Sequence, residues 1–214
     1  MSGAKRLVAI PMKEPRDAKT RLGLALTPDQ RGKLALSLFR ATVARLHEAV
    51  EGLEAQVDLA VVSSSPIIRD VAETMGLSVI DDGCAPSLSL AVEAAADWAA
   101  GHGYDALCVL PGDLADPDPV DLAWLLDQPI EGGRAVICPA KDLGTNALMV
   151  PLPCPFAFAY GAQSTIRHRR AAEEAGLMPV MMPLGSLRID IDTVEDLHHL
   201  PSGHLRRPRR ETAQ

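Results

Sequence analysis

Aromatic residues are scarce in this chain. Two Trp, two Tyr and three Phe make up 3% of its 214 residues. A core must therefore come from Ala, Leu and Val, as in soluble enzymes of short helices and strands. Cations are outnumbered too: 21 Lys and Arg stand against 28 Asp and Glu, a net charge of −7, which argues against a general nucleic-acid binder. The deficit is uneven. Residues 201–214 hold Arg206, Arg207, Arg209 and Arg210 against Glu211, so this end carries +3 and the remainder −10. With Pro201, Gly203 and Pro208 the end reads as a basic, disordered tail on a domain spanning 1–200.

Other absences narrow the field further. The four cysteines, Cys84, Cys108, Cys138 and Cys154, lack any paired spacing for zinc or redox chemistry. Cys108 and Cys138 lie inside apolar runs and read as reduced core residues. No signal-peptide pattern or membrane-length apolar run is visible, so a cytoplasmic location without membrane contact is expected. There is no internal repeat and no Walker glycine-lysine pattern. The length suits one good-sized α/β domain.

What the chain does have is organised around Asp105-Ala-Leu-Cys-Val-Leu-Pro-Gly-Asp113. Ala106 to Leu110 is too short an apolar run for a typical helix and fits a strand covered on both faces. Pro111-Gly112 stops it, and Asp113 is the first charge past its carboxyl end, the edge where open α/β sheets bind ligands. A carboxylate there suits Mg²⁺, which takes one or two carboxylates plus substrate phosphates. The alternative is a plain helix cap.

Before it, Arg6 to Ile10, Val57 to Val62 and Ser78 to Ile80 read as strands alternating with helices, the first opened by Thr27-Pro28-Asp29-Gln30 as a capping box. That alternation implies a parallel sheet with right-handed crossovers. Pro11-Met-Lys-Glu-Pro-Arg-Asp-Ala-Lys-Thr-Arg-Leu22 follows the first strand with four cations, Lys13, Arg16, Lys19 and Arg21, suited to a triphosphate or to a solvated face. Beyond the centre, strands are expected at Arg134 to Cys138 and Ala147 to Val150. A helix from Thr165 to Ala175 would present backbone N–H groups and Ser164 to an anion. Leu187 to Asp192 reads as a last strand ending in Asp190 and Asp192. His168, His198 and His199 lie on helices and read as surface residues.

Several of these segments resemble the guanylyltransferases of coenzyme F-420 biosynthesis. The matching pieces are the Pro11–Leu22 loop, Leu110-Pro-Gly-Asp-Leu, Gly144-Thr-Asn-Ala-Leu, Tyr160-Gly-Ala-Gln-Ser-Thr-Ile-Arg-His and Asp190-Ile-Asp-Thr-Val-Glu-Asp-Leu. Two departures stand out: Ser87-Leu88-Ser89 replaces the usual Gly-Leu-Asn, and Asp113-Leu114-Ala115 the usual Asp-Leu-Pro.

The resemblance implies a single Rossmann-like α/β/α nucleotidyltransferase domain with a mostly parallel mixed sheet. It implies transfer of GMP from GTP to 2-phospho-L-lactate, phosphoenolpyruvate or 3-phospho-D-glycerate with loss of diphosphate. Lys13, Lys19 and Arg21 would hold the triphosphate, and Pro11, Ser63, Asp82 and Ser89 the rest of the nucleotide. Asp113 with Asp190, Asp192 or both would hold Mg²⁺, while Thr145, Gly161 and Ser164 would grip the acceptor. Lys19 and Asp113 would carry the catalysis. A homodimer is compatible with this, as are two other functions: a sugar-phosphate or molybdenum-cofactor nucleotidyltransferase, and a silent nucleotide-binding relative.

Overall fold

Strand β1 (Lys5–Pro11) is buried along its five central residues and runs parallel to β2 (Gln56–Val62) on one side and β4 (Ala106–Val109) on the other. Around it, in a computed structural model that describes residues 4–201, a seven-stranded sheet forms. The other strands are β3 (Ser78–Ile80), β5 (Arg134–Pro139), β6 (Thr145–Pro151) and β7 (Met178–Met181). Their order is β3-β2-β1-β4-β6-β5-β7. Strand β6 alone is antiparallel to its neighbours, β4 and β5. The expected basic tail falls on residues 202–214, outside the described residues.

Helices cover both faces. On one lie α1 (Pro28–Val50), α2 (Pro66–Thr74) and α4 (Pro119–Leu126), packing Phe39, Ile68 and Leu122 against Val8 and Cys108. On the other lie α3 (Leu88–Gly101) and α5 (Ser164–Glu174), packing Val92 and Ala172 against Leu7 and Leu107. The alternation along β1 and β4 explains the split, since successive residues face opposite layers. The capping box forms as the sequence demands: Thr27 Oγ1 accepts from Gln30 N at 3.3 Å and Gln30 Oε1 from Thr27 N at 2.9 Å. Cys108 and Cys138 are buried free thiols; burial pushes the Cys108 thiol up to about 12 and the Cys138 thiol well above its ordinary value. Among the described residues no helix is long and apolar enough to cross a membrane.

One expectation needs correction. Leu187 to Asp192 is not a strand. A 3₁₀ helix at Gly185–Leu187 precedes a single bridge, Leu114 to Asp190. Strand β4 ends at Val109, and past the Pro111-Gly112 turn the segment bonds to Asp113, Ala115 and Lys141 without forming a ladder. The helix expected around His198 and His199 is a 3₁₀ helix at Val194–His199, opened by Thr193. Conversely, Met178–Met181 is an edge strand that sequence reasoning did not place.

Candidate active site

The Pro11–Leu22 loop leaves β1 and folds into two 3₁₀ helices, Pro15–Asp17 and Thr20–Leu24, with Lys19 between them at φ 56°. Leu22 anchors the loop in a small core with Leu38 and Ile191, and Arg31 Nη1 donates to Ala18 O at 2.9 Å. The left-handed turn sends the Lys19 side chain inward, where it is only 3% exposed. This is no solvated surface cation. Its ammonium is paired with the Asp113 carboxylate and lies 3.2 Å from Asp192 Oδ1. Burial pulls the Lys19 pKa down, but the Asp113 and Asp192 carboxylates outweigh it and hold the group above its ordinary value. Arg21 is exposed and reaches Asp192 Oδ2 at 3.7 Å. Lys13 is exposed at the same cleft, whereas Arg16 does not line it.

Asp113 and the Asp190–Asp192 segment are held side by side by backbone. Ala115 N donates to Ile189 O at 2.9 Å and Ile191 N to Asp113 O at 3.0 Å. Alternation buries Ile191 and turns Asp190 and Asp192 toward the cleft. Burial, then the Asp113 and Asp192 charges, pushes Asp190 up to about 6. Three acids thus crowd around one buried lysine. Among the described residues no group of three or more His, Cys, Asp or Glu side chains closes into a metal cage. Mg²⁺ does not require one, because substrate phosphates and water supply most of its ligands. The crowded carboxylate oxygens of Asp113, Asp190 and Asp192 are the donor type it takes.

On the opposite wall, Thr145 starts β6 and Ser164 starts α5. Ser164 Oγ donates to Thr145 Oγ1 at 3.0 Å, and His168 Nδ1 lies 3.0 Å from the same oxygen. His168 is fully buried rather than a surface residue. Burial, then the Arg167 charge, lowers its pKa to about 4, so the ring is neutral. Nothing local to His168 signals this, because its partners lie 23 and 9 residues away.

The free N–H groups expected at the opening of α5 are also not available. Ser164 N bonds to Gly161 O, Thr165 N to Leu143 O, and Ile166 and Arg167 N to Gln163 O, at 3.1 to 3.3 Å. The left-handed Gln163 closes the turn back on itself. Hydroxyls, not the helix end, face the cleft here.

These walls enclose one cleft of about 640 Å³ at the carboxyl edge of β1 and β4. It brings together Pro11, Lys13, Lys19, Arg21, Asp82 and Asp113 with Thr145, Gly161, Ser164, Asp190 and Asp192. It does not include Ser63 or Ser89. The Ser63 hydroxyl donates to Met12 O at 2.7 Å and so pins the start of the loop. Ser89 Oγ accepts from Tyr160 N at 3.0 Å, tying α3 to the loop before α5. Ser87 caps α3 through Leu90 N and, with Leu88, lines the cleft beside Asp82.

A profile of the family described as "Guanylyl transferase CofC like" matches residues 6–202. The 3-phospho-D-glycerate guanylyltransferase of Colwellia psychrerythraea is 37% identical over 193 residues, 90% of each chain. The phosphoenolpyruvate guanylyltransferase of Rubrobacter xylanophilus is 36% identical over 206 residues, 94% of this chain and 97% of that one. Among solved structures, glucosyl-3-phosphoglycerate synthase of Mycobacterium tuberculosis with Mn²⁺, UDP and glucosyl-3-phosphoglycerate superposes with a TM-score of 0.58. It covers 92% of this chain and 75% of that one, at 15% identity, a likeness of fold alone.

Proposed function

The chain belongs to the CofC-like guanylyl transferase family, and on that premise we propose that it transfers GMP from GTP to a small phosphorylated three-carbon acid in coenzyme F-420 biosynthesis. The observation that carries this is the cleft itself. The buried Lys19, among Asp113, Asp190 and Asp192, shares one cavity with the Thr145–Ser164 hydroxyls.

The triphosphate meets Lys19, with Lys13 and Arg21 at the exposed rim. Asp113 and one or both of Asp190 and Asp192 would hold Mg²⁺, which would supply neutralisation of the phosphate charge. Thr145, Gly161 and Ser164 fix the acceptor. Its phosphate oxygen attacks the α-phosphorus in line, the bond to the β-phosphate bridging oxygen breaks, and diphosphate leaves. An ionised phosphate is already a nucleophile, so no side chain need take a proton. Catalysis is positioning and charge neutralisation, of which orientation supplies roughly 7–11 kcal/mol in favourable cases.

Asp82, Ser87 and Leu88 line the nucleotide end of the cleft. Ser87-Leu88-Ser89 keeps the cap of α3 through Ser87, so the departure there alters side chains facing the base without undoing the helix start. The test is diphosphate release with Mg²⁺, each nucleoside triphosphate in turn, and 3-phospho-D-glycerate, phosphoenolpyruvate or 2-phospho-L-lactate as acceptor. Release only with GTP and one of these acids supports the assignment. Release with a sugar phosphate instead replaces it with another nucleotidyltransferase, and no release with any acceptor replaces it with a silent relative.

A further inference from the structure

His168 plays no part in the chemistry above, yet both its ring nitrogens are engaged by the acceptor wall. Ala159 N–H donates to His168 Nε2 at 2.9 Å. That nitrogen must therefore be unprotonated, and a neutral imidazole then carries its proton on Nδ1. Nδ1 lies 3.0 Å from Thr145 Oγ1, so the ring donates there. Ser164 Oγ–H donates to the same oxygen, also at 3.0 Å. A hydroxyl oxygen has two lone pairs, and both are now taken. Thr145's own proton must then be given away. Thr165 Oγ1 is a poor recipient at 3.4 Å, beyond the usual O–H···O range. Thr145 lines the cleft, so the strong recipient is an oxygen there that only accepts.

We propose that His168 is a positioning residue for the acceptor: by filling Thr145 Oγ1 from behind, it commits the Thr145 hydroxyl to donate to a phosphate or carboxylate oxygen of the bound acid. The same ring fixes the Ala159 amide, and through it the loop leading to Tyr160 and Gly161. Tyr160 packs edge-on against the ring, centroids 4.8 Å apart, which holds the imidazole plane. An apolar ring would serve for packing alone and would need neither hydrogen bond. The low pKa of about 4 agrees, because an imidazolium could not accept from Ala159.

The proposal rests on the guanylyltransferase assignment for its ligand, so its test has two arms. The first is ¹⁵N NMR of the wild-type ring at pH 7. A neutral Nδ1–H tautomer is expected, with its signals shifting on addition of the acceptor that turns over. An Nε2–H tautomer or an imidazolium overturns the proposal. The second arm is a double-mutant cycle. His168→Phe should raise the acceptor KM roughly tenfold, the loss of one donor to a charged group, and leave the GTP KM within about twofold. His168→Asn, whose amide N–H can take the place of Nδ1–H, should recover most of the loss. In a Thr145→Val background His168→Phe should cost nothing further.

Multiplicative losses in the double variant, or equal rises in both KM values, overturn it. Should His168→Phe not fold, the tautomer measurement decides, with His168→Asn expected to keep the acceptor KM near the wild-type value. Should wild type form no product with any acid, the guanylyltransferase assignment fails by itself. The cycle is then read from 3-phospho-D-glycerate affinity by calorimetry, where absence of binding also overturns the proposal.

Discussion

Lys19 and Asp113 stand 94 residues apart in the chain and form an ion pair in the structure. The pairing joins the loop after β1 to the end of β4, the two strands that lie side by side at the centre of the sheet. A lysine buried this far is tolerated only with such partners, since an unpaired buried charge costs several kcal/mol. It places one ammonium within reach of a phosphate chain entering the cleft.

Lys19→Ala should therefore weaken GTP binding by about 10–100-fold, the worth of one donor to a charged oxygen, while guanosine binding stays unchanged. Calorimetry with both ligands measures this. Equal losses for nucleotide and nucleoside would remove Lys19 from the phosphates. Lys19→Arg should not rescue, because the larger guanidinium must enter a site where the side chain is 3% exposed.

The acids should respond in opposite directions. Asp113→Asn removes the nearest partner of the buried Lys19 and should lower thermal stability along with turnover. Asp190 sits among like charges that, after burial, push its pKa up to about 6. Asp190→Asn should thus raise stability by on the order of 1 kcal/mol while lowering Mg²⁺-dependent turnover. Thermal melts in EDTA beside steady-state assays would show it. A destabilised Asp190→Asn would mean the carboxylate is held by bonds rather than crowded by charge.

At the acceptor wall, Gly161 should matter more than the Ser164 hydroxyl. Gly161 has φ +113°, and a Cβ there would come within 3.3 Å of Arg167 Nη2. That guanidinium clasps Tyr160 O and Ala162 O at 3.1 and 2.9 Å. Gly161→Ala both strains the backbone and loosens the clasp. Ser164→Ala removes one of the two donors that hold Thr145 Oγ1 and should raise the acceptor KM severalfold without changing that for GTP, and Gly161→Ala should raise it further. A change confined to GTP would mean the two ends of the cleft are exchanged.

Acid should find His168. Its folded pKa of about 4 lies below the ordinary 6.5, so between those values the unfolded chain binds a proton that the folded chain refuses. The stabilisation is intact above pH 6.5 and is lost at about 1.4 kcal/mol per pH unit as pH falls toward 4. Below that both states are charged and the slope ends. Denaturant melts from pH 7 to 4, compared with His168→Asn, isolate this contribution; an unchanged slope in the variant would assign the acid sensitivity elsewhere.

The sequence made some of this legible and hid the rest for physical reasons. Ser78–Ile80 was placed to the residue, and the Thr27 cap to its partner Gln30, because local chemistry decides both. Met178–Met181 escaped because Pro179 interrupts a short edge strand with no buried run. The alternation from Leu187 to Asp192 reads as a strand, but a strand also needs a ladder, and among the described residues this segment forms a single bridge, Asp190 to Leu114. Lys19 stood out by its charge, yet its burial follows from a left-handed turn that no residue type there announces. His168 was hidden most fully. Flanked by Arg167 and Arg169 it reads as a wet helix face, and only the fold brings Thr145 and Ala159 to its two nitrogens.

The central claim is that the acceptor's own phosphate attacks the α-phosphorus of GTP, and ³¹P NMR with an ¹⁸O-labelled acceptor phosphate tests it most directly. The enzyme, Mg²⁺, GTP and the labelled acid should give a product whose new P–O–P bridge carries the isotope shift, with unlabelled diphosphate beside it. Label absent from the bridge, or GMP and diphosphate released without a joined product, would contradict the account.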